Sequence, residues 1–216
     1  MMDVEAYYKT RFTAEAGRAG VWGAIVRYLR PYVPPDGRVL ELGAGYCFFI
    51  NQVAARERHA IDLNDGMPGF AAAGVHTHVG SCEDLSFAPE GHFDVVMASN
   101  LFEHLDRAAL SRTLAETLRV LRAGGRLIVV QPNFAYGFRE YFDDYTHVAV
   151  YTHVSMPDVL RAAGFQIERV VPRLLPFSMR SGLPVWPWLV AIYLRCPWRP
   201  FAKQMLVVAS KPPAAG

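Results

Sequence analysis

The 216-residue chain is 52% hydrophobic and only 19% charged, enough apolar material for one full core and too little charge for disorder. Its net charge is +2, and it has no lysine/arginine run or basic stripe interleaved with aromatics, so nucleic acid is a poor default partner. Cys47, Cys82 and Cys196 are odd in number, widely spaced and without a C-x-x-C pair. That pattern fits reduced thiols in a cytoplasmic protein, and neither a zinc site nor a disulfide framework.

The N-terminal MMDVEAYYKTRF is acidic and aromatic, unlike a signal peptide, and no apolar run reaches the roughly 18 to 20 residues of a membrane span. Residues 14–30 predict a helix, with Val21, Trp22, Ile25, Val26 and Leu29 at helical spacing and Pro31, Pro34 and Pro35 beyond it. A strand over 38–42 runs into ELGAGYC at 41–47 and then a helix over 48–58. Strand, tight glycine loop and helix start bring backbone amides against a nucleotide-like ligand. Glu41 lies two residues before Gly43, where it would repel a pyrophosphate but suit a cationic, phosphate-free ligand with an amino group and hydroxyls. Further strands are predicted at 59–63, 75–79, 93–98 and 126–130, with a helix near 68–73. Asp106 caps a helix whose stripe is Leu110, Leu114, Leu118 and Leu121, with Gly124-Gly125 as its stop. Ser155-Met156-Pro157-Asp158 opens another helix as a capping box, and 165–171 and 204–209 are the last strands. Alternating strands and helices make a parallel, doubly wound α/β sheet with ligands at the strand C-termini. The last two strands lack a crossover helix between them, so they are expected to pair antiparallel at the sheet edge.

Four ordered motifs carry a resemblance. They are ELGAGYC at 41–47, Asp62 21 residues after Glu41, GSCEDLSF at 80–87 and FDVVMASNLFEHL at 93–105, supported by LRAGGRLIV at 121–129. Together they are similar to class I S-adenosylmethionine-dependent methyltransferases of the small-molecule, type 11/12-like branch, over roughly 35–170 and the final strand. The resemblance implies a Rossmann-like, seven-stranded, mostly parallel sheet with an antiparallel last strand. It divides the chain into a helical cap (1–34), a cofactor-binding core (35–171), an apolar insert or lid (172–203) and a last strand with tail (204–216). The cofactor implied is S-adenosylmethionine, held by Glu41, Gly43, Ala44, Gly45, Asp62, Leu63, Ser81, Cys82, Glu83 and Asn100. Asp62 is suited to accept both ribose hydroxyls. The pair Ser81-Cys82 matches the family segment beside the adenine, with Glu83 or Asp84 as the alternative contact. Asn100 is placed under the methionine end, and Tyr7 and Tyr8 either close over it or stack on the first core helix. The family usually has a third glycine where this chain has Cys47.

Methyl transfer to an alcohol or ammonium needs a base; transfer to a carboxylate or thiolate does not. Two places offer one. His104 either braces its loop or contacts the acceptor, and in the stretch Tyr141 to His147 the carboxylate of Asp144 could orient His147. No aspartate follows the fourth strand as in metal-dependent relatives, so no catalytic metal is expected. His76, His78, His92 and His153 read as surface or packing residues.

Residues 172–203 hold six prolines, three tryptophans (Trp186, Trp188, Trp198) and five arginines or lysines. Their apolar stretch 184–194 is too short to span a membrane. A lid over the acceptor pocket ranks first for it, a homodimer contact second and peripheral membrane contact third. The function expected is metal-independent methyl transfer, at oxygen sooner than nitrogen, to a small-molecule or lipid/glycan-linked acceptor, in a cytoplasmic protein. The rivals are a methyltransferase-like domain that binds without turnover and an NAD-dependent dehydrogenase, since Asp62 also lies about 20 residues past the glycines.

Overall fold

The computed structural model describes residues 17–176 and 186–213; Tyr7, Tyr8 and part of the insert lie outside them. Seven strands form one sheet: β1 (Arg38–Leu42), β2 (Glu57–Asp62), β3 (Val75–Val79), β4 (Phe93–Ser99), β5 (Leu121–Pro132), β6 (Gln166–Val171) and β7 (Gln204–Ser210), in the order β3-β2-β1-β4-β5-β7-β6. The first five are parallel, and β7 runs antiparallel to both β5 and β6. The expected antiparallel strand is therefore present, but inserted between β5 and β6, so that β6 forms the edge.

The strands alternate with period two between two cores. Leu40, Leu42, Val96, Leu127 and Val207 face Leu110 and Leu114 of α2 (Arg107–Val120) and Met156 and Leu160 of α3 (Ser155–Ala162). Val39, Val95, Ile128 and Val208 face Ile25 and Leu29 of α1 (Arg18–Leu29) and Leu194 of α4 (Pro187–Arg195). Both faces are covered, as the near-continuous apolar run of β4 requires.

Three local expectations are revised. The stretch after the glycine loop is a series of turns, with Asn51 N–H on the Cys47 carbonyl and Val53 N–H on that of Phe49, and not a helix over 48–58. The Ile50 N–H, which a helix would give to the residue four before it, goes to Glu41 Oε2 at 3.0 Å, and Cys47 has a left-handed φ of 58°. Helix α2 ends at Val120 and passes directly into β5; Gly124 and Gly125 instead bend that strand, Gly124 at φ +71° and Gly125 where a Cβ would lie 2.9 Å from the Arg122 carbonyl. The cap of α3 begins earlier than Ser155: Thr152 Oγ1 accepts from Ser155 N, and Ser155 Oγ accepts from Thr152 N. Asp106 caps α2 as expected, accepting from Ala109 N at 2.8 Å. The insert does contain a helix, α4, packed beside α1, where a side chain on Gly20 would meet Pro187 at 2.7 Å.

Candidate functional site

The C-terminal ends of β1, β2 and β4 meet on one rim of the sheet. At the end of β1 the chain takes a left-handed conformation at every second residue: Gly43 (φ 63°), Gly45 (φ 52°) and Cys47 (φ 58°). The position that lacks the family's glycine thus keeps the glycine-like backbone. Gly43 is also sterically required, because a Cβ there would sit 2.9 Å from Leu101 Cδ1. The Cys47 side chain is fully buried, and burial pushes its thiol up to about 12, so it acts as an apolar plug and not a nucleophile.

Asp62 closes the loop. Its Oδ2 accepts from Gly45 N at 2.7 Å and its Oδ1 from Asn64 N at 2.9 Å, with Ala44 N on the Ile61 carbonyl alongside. These two backbone bonds fix the orientation of the carboxylate at the tip of β2. The neighbouring Leu63 is exposed, as a residue flanking a bound ring would be. Glu41 lies beneath, buried, its carboxyl raised to about 8 by desolvation against the pull of the Ile50 N–H, with the Asp62 charge adding to the rise. A carboxyl so placed is protonated at neutral pH and gains a charge partner when a cation arrives.

Along the segment after β3, Ser81 Oγ accepts from Glu83 N at 3.2 Å, and Cys82 Sγ lies 3.5 Å from Thr113 Oγ1. The Glu83 carboxylate forms an ion pair with Arg112, and Asp84 is exposed and accepts from Ser86 N. Ser81 Oγ also donates to Glu83 Oε1 at 3.4 Å, so the two side chains are joined, while Cys82 is buried in the core beside α2. Asn100 leaves β4 in a left-handed conformation (φ 47°), which asparagine tolerates, and its Oδ1 accepts from Gln204 Nε2 of β7 at 2.9 Å. The glycine cradle, the acidic β2 end and the polar β4 exit make a donor and acceptor set that fits an adenosyl amino acid.

The two places read as alternative sources of a base form one site. The loop after β5 is stitched onto the β4 exit by Val148 N and Ala149 N, both on the Glu103 carbonyl at 2.9 and 3.1 Å. His104 Nδ1 faces the Thr146 carbonyl at 3.2 Å and Thr146 Oγ1 at 2.9 Å, and the Thr146 hydroxyl donates to Asp144 Oδ1. Although partial burial opposes it, the Thr146 bonds hold the Asp144 carboxyl below its usual range. His147 Nδ1 donates to the Tyr141 carbonyl at 2.6 Å, and its ring centroid lies 4.9 Å from that of His104 and 4.5 Å from that of Tyr141. Because both Nδ1 atoms face carbonyl oxygens they carry the protons, which makes Nε2 the basic nitrogen of each ring. Asp144 reaches His104 through Thr146, and His147 takes its orientation from a backbone carbonyl. Burial, then the neighbouring His147, lowers His104 to about 4.

Sequence reasoning missed Glu103, Thr146 and Tyr141. Glu103 is fully buried with neither carboxylate oxygen hydrogen-bonded, and desolvation raises it to about 8. Its only sequence signal is adjacency to His104 in FEHL; on a short turn such an acid reads as solvated. Glu103, His104 and His147 present ligand atoms within 4.8 Å of one another, an arrangement able to hold a metal ion.

Residues 39–125 match a family described as a methyltransferase domain. Among curated relatives, the chain is 34% identical over 173 residues to the malonyl-[acyl-carrier protein] O-methyltransferase of Methylococcus capsulatus, covering 72% of this chain and 60% of that protein. It is 26% identical over 111 residues to a ubiquinone/menaquinone biosynthesis C-methyltransferase of Geotalea daltonii, covering 45% and 46%. The chain thus spans less than two thirds of either relative's length. Among solved structures, a SAM-dependent methyltransferase from Archaeoglobus fulgidus superposes with a TM-score of 0.68 at 18% identity, over 96% of this chain and 98% of the other. The geranyl diphosphate C-methyltransferase of Streptomyces coelicolor superposes at 0.63 and 14% identity, over 87% and 80%.

Proposed function

We propose that this chain is a class I S-adenosylmethionine-dependent methyltransferase that moves a methyl group to an oxygen of a small or lipid-linked acceptor without a catalytic metal. Glu41, Gly43, Ala44, Gly45, Asp62, Leu63, Ser81, Cys82 and Asn100 hold the cofactor, and Glu83 buttresses Ser81. S-adenosylmethionine, when bound, supplies a methyl carbon made electrophilic by its sulfonium. The protein's part is alignment, exclusion of water and custody of the acceptor proton.

The observation that carries the reading is the histidine pair. His147 and His104 lie side by side next to the β4 exit, and each Nδ1 faces a backbone carbonyl, which makes Nε2 the basic nitrogen of each ring. His147 takes the acceptor proton, and His104, kept neutral by burial, accepts a hydrogen bond from the acceptor and orients it. Oxygen is favoured by the O-methyltransferase relative, which is the more similar of the two curated relatives. Burial raises the Glu103 carboxyl to about 8, so the ionised acid beside the pair is Asp144, which reaches His104 through Thr146. The exposed Trp186, Trp188 and Trp198 of the insert support an apolar or lipid-linked acceptor approaching from that side.

The test is transfer of a labelled methyl group to a panel of carboxylate, alcohol and phenol acceptors with short and long acyl chains. His147→Ala should lower kcat for hydroxyl acceptors about 100-fold or more while leaving cofactor affinity unchanged. Dialysis against EDTA should leave activity intact. Unchanged turnover in the variant removes His147 from the chemistry, and activity lost to EDTA and restored by a divalent ion, in the parent and in Glu57→Gln alike, makes the cluster a metal centre.

A further inference from the structure

Four of the seven histidines gather far from the cleft, at the opposite end of β2. Six residues of strand put Glu57 about 17 Å from Asp62. Glu57 and His59 are two apart on β2 and share a face. His76 and His78 share a face of β3 beside them, and His92 arrives from the turn before β4. His59 Nε2 and His92 Nε2 both meet the same oxygen, Glu57 Oε1, at 2.7 and 2.8 Å. The second nitrogen of His59 is held by His78 Nε2 at 3.1 Å, and the other Glu57 oxygen lies 3.3 Å from Arg38 Nε. Phe87 stacks on His78 at 3.6 Å and Phe93 stands edge-on to His59 at 5.2 Å, walling the group on its inner side.

We propose that Glu57, His59 and His92 form a binding site for a divalent transition metal of the zinc type, separate from the methyltransferase cleft. Their ligand atoms all lie within 4.8 Å of one another, two of them on β2 and the third next to the first residue of β4. The outer shell has the arrangement metal sites use. The nitrogen of His59 turned away from the metal has a hydrogen-bond partner in His78, which fixes the ring, and Arg38 stands at ion-pair distance from the far carboxylate oxygen. Tetrahedral ligands at about 2.0–2.2 Å from zinc sit ~3.3 Å apart, so the imidazoles need move only about half an ångström from the carboxylate. The His59 proton moves from Nε2 to Nδ1 and there hydrogen-bonds His78 Nε2, whose own proton moves to its Nδ1, and the His92 proton likewise moves to its Nδ1, so two neutral imidazoles bind without net proton release. The ion would clip β2 to the turn entering β4, making it a structural element of the sheet and not part of the transfer chemistry.

The experiment uses the full chain, untagged and stripped with a chelator, titrated with zinc chloride by calorimetry and with cobalt(II) by visible absorption. One equivalent of zinc should bind, cobalt should give tetrahedral bands, and zinc should raise the melting temperature. His92→Ala and Glu57→Gln should each weaken binding at least tenfold, the glutamine variant also serving if the alanine one folds poorly. His104→Ala should bind zinc as the parent does. Absence of stoichiometric binding, binding that survives both substitutions, or binding abolished by His104→Ala would each overturn the proposal.

Discussion

Cys47 occupies a left-handed position that the methyltransferases it resembles usually give to glycine, and its side chain is fully buried. Replacement by alanine keeps the backbone cost and loses the sulfur's packing. Replacement by glycine relieves about 1–2 kcal/mol of left-handed strain but adds a lost methyl (about 0.8 kcal/mol) and extra chain entropy (about 0.5–1 kcal/mol). The two variants should therefore unfold within about 0.5 kcal/mol of each other in urea, where an ordinary buried position would penalise glycine by about 1 kcal/mol more. A glycine variant markedly weaker than the alanine one would show that the turn carries no strain at this residue. Asp62 and Gly43 were legible as single letters because each answers to one requirement, an acid at a strand tip and a residue without Cβ at a tight turn. Glu103 was not, because its interest lies in burial without a hydrogen-bond partner, which no local pattern encodes.

In the proposed reaction the acceptor meets the β4 exit and the loop after β5, which are joined by the Glu103 carbonyl, Thr146 and Tyr141. Tyr141 is fully buried and its Oη donates to the Ala149 carbonyl at 2.6 Å, while its own carbonyl orients His147. Tyr141→Phe should cost about 1 kcal/mol in a denaturant melt and loosen the loop that fixes His147, lowering kcat with cofactor affinity unchanged. A variant with parental kcat would separate the loop from the chemistry. Sequence reasoning found both His104 and His147 but as alternatives, because a separation of 43 positions hides that one loop lies on the other. The same limit applied to β7: the apolar run QMLVVAS reads as a strand, yet nothing local says that it enters between β5 and β6. The helix expected after the glycine loop failed for a different reason, since Glu41, a residue of β1, takes the Ile50 N–H that a helix would use.

At the scale of the whole molecule, buried ionisable groups give ligand-free stability a definite pH course. Desolvation raises Glu41 and Glu103 to about 8, so the stability they favour is present at low pH and lost as pH climbs toward 8. Burial lowers His78 and His104 to about 4, so their contribution is present above 6.5 and lost as pH falls toward 4. Below 6.5 the two sets oppose each other; between 6.5 and 8 only the glutamates act, and stability should fall. Urea melts at pH 6.5 and 8 check this, and Glu103→Gln should flatten the decline; a profile rising to pH 8 would mean these carboxyls are ionised in the fold. No helix among the described residues is long and apolar enough to cross a membrane, and α4 packs its buried Leu194 into the core beside α1. The alternation of strands and helices, the glycine loop and the acid at the tip of β2 were all legible in the sequence, and they are the parts from which the proposed cofactor site is built. Calorimetric titration with S-adenosylmethionine, S-adenosylhomocysteine and NADH, repeated on Asp62→Ala, tests that end directly. Micromolar binding of both adenosyl ligands, lost in the variant and absent for NADH, is the predicted result; binding of NADH alone, or of none of the three, would contradict it.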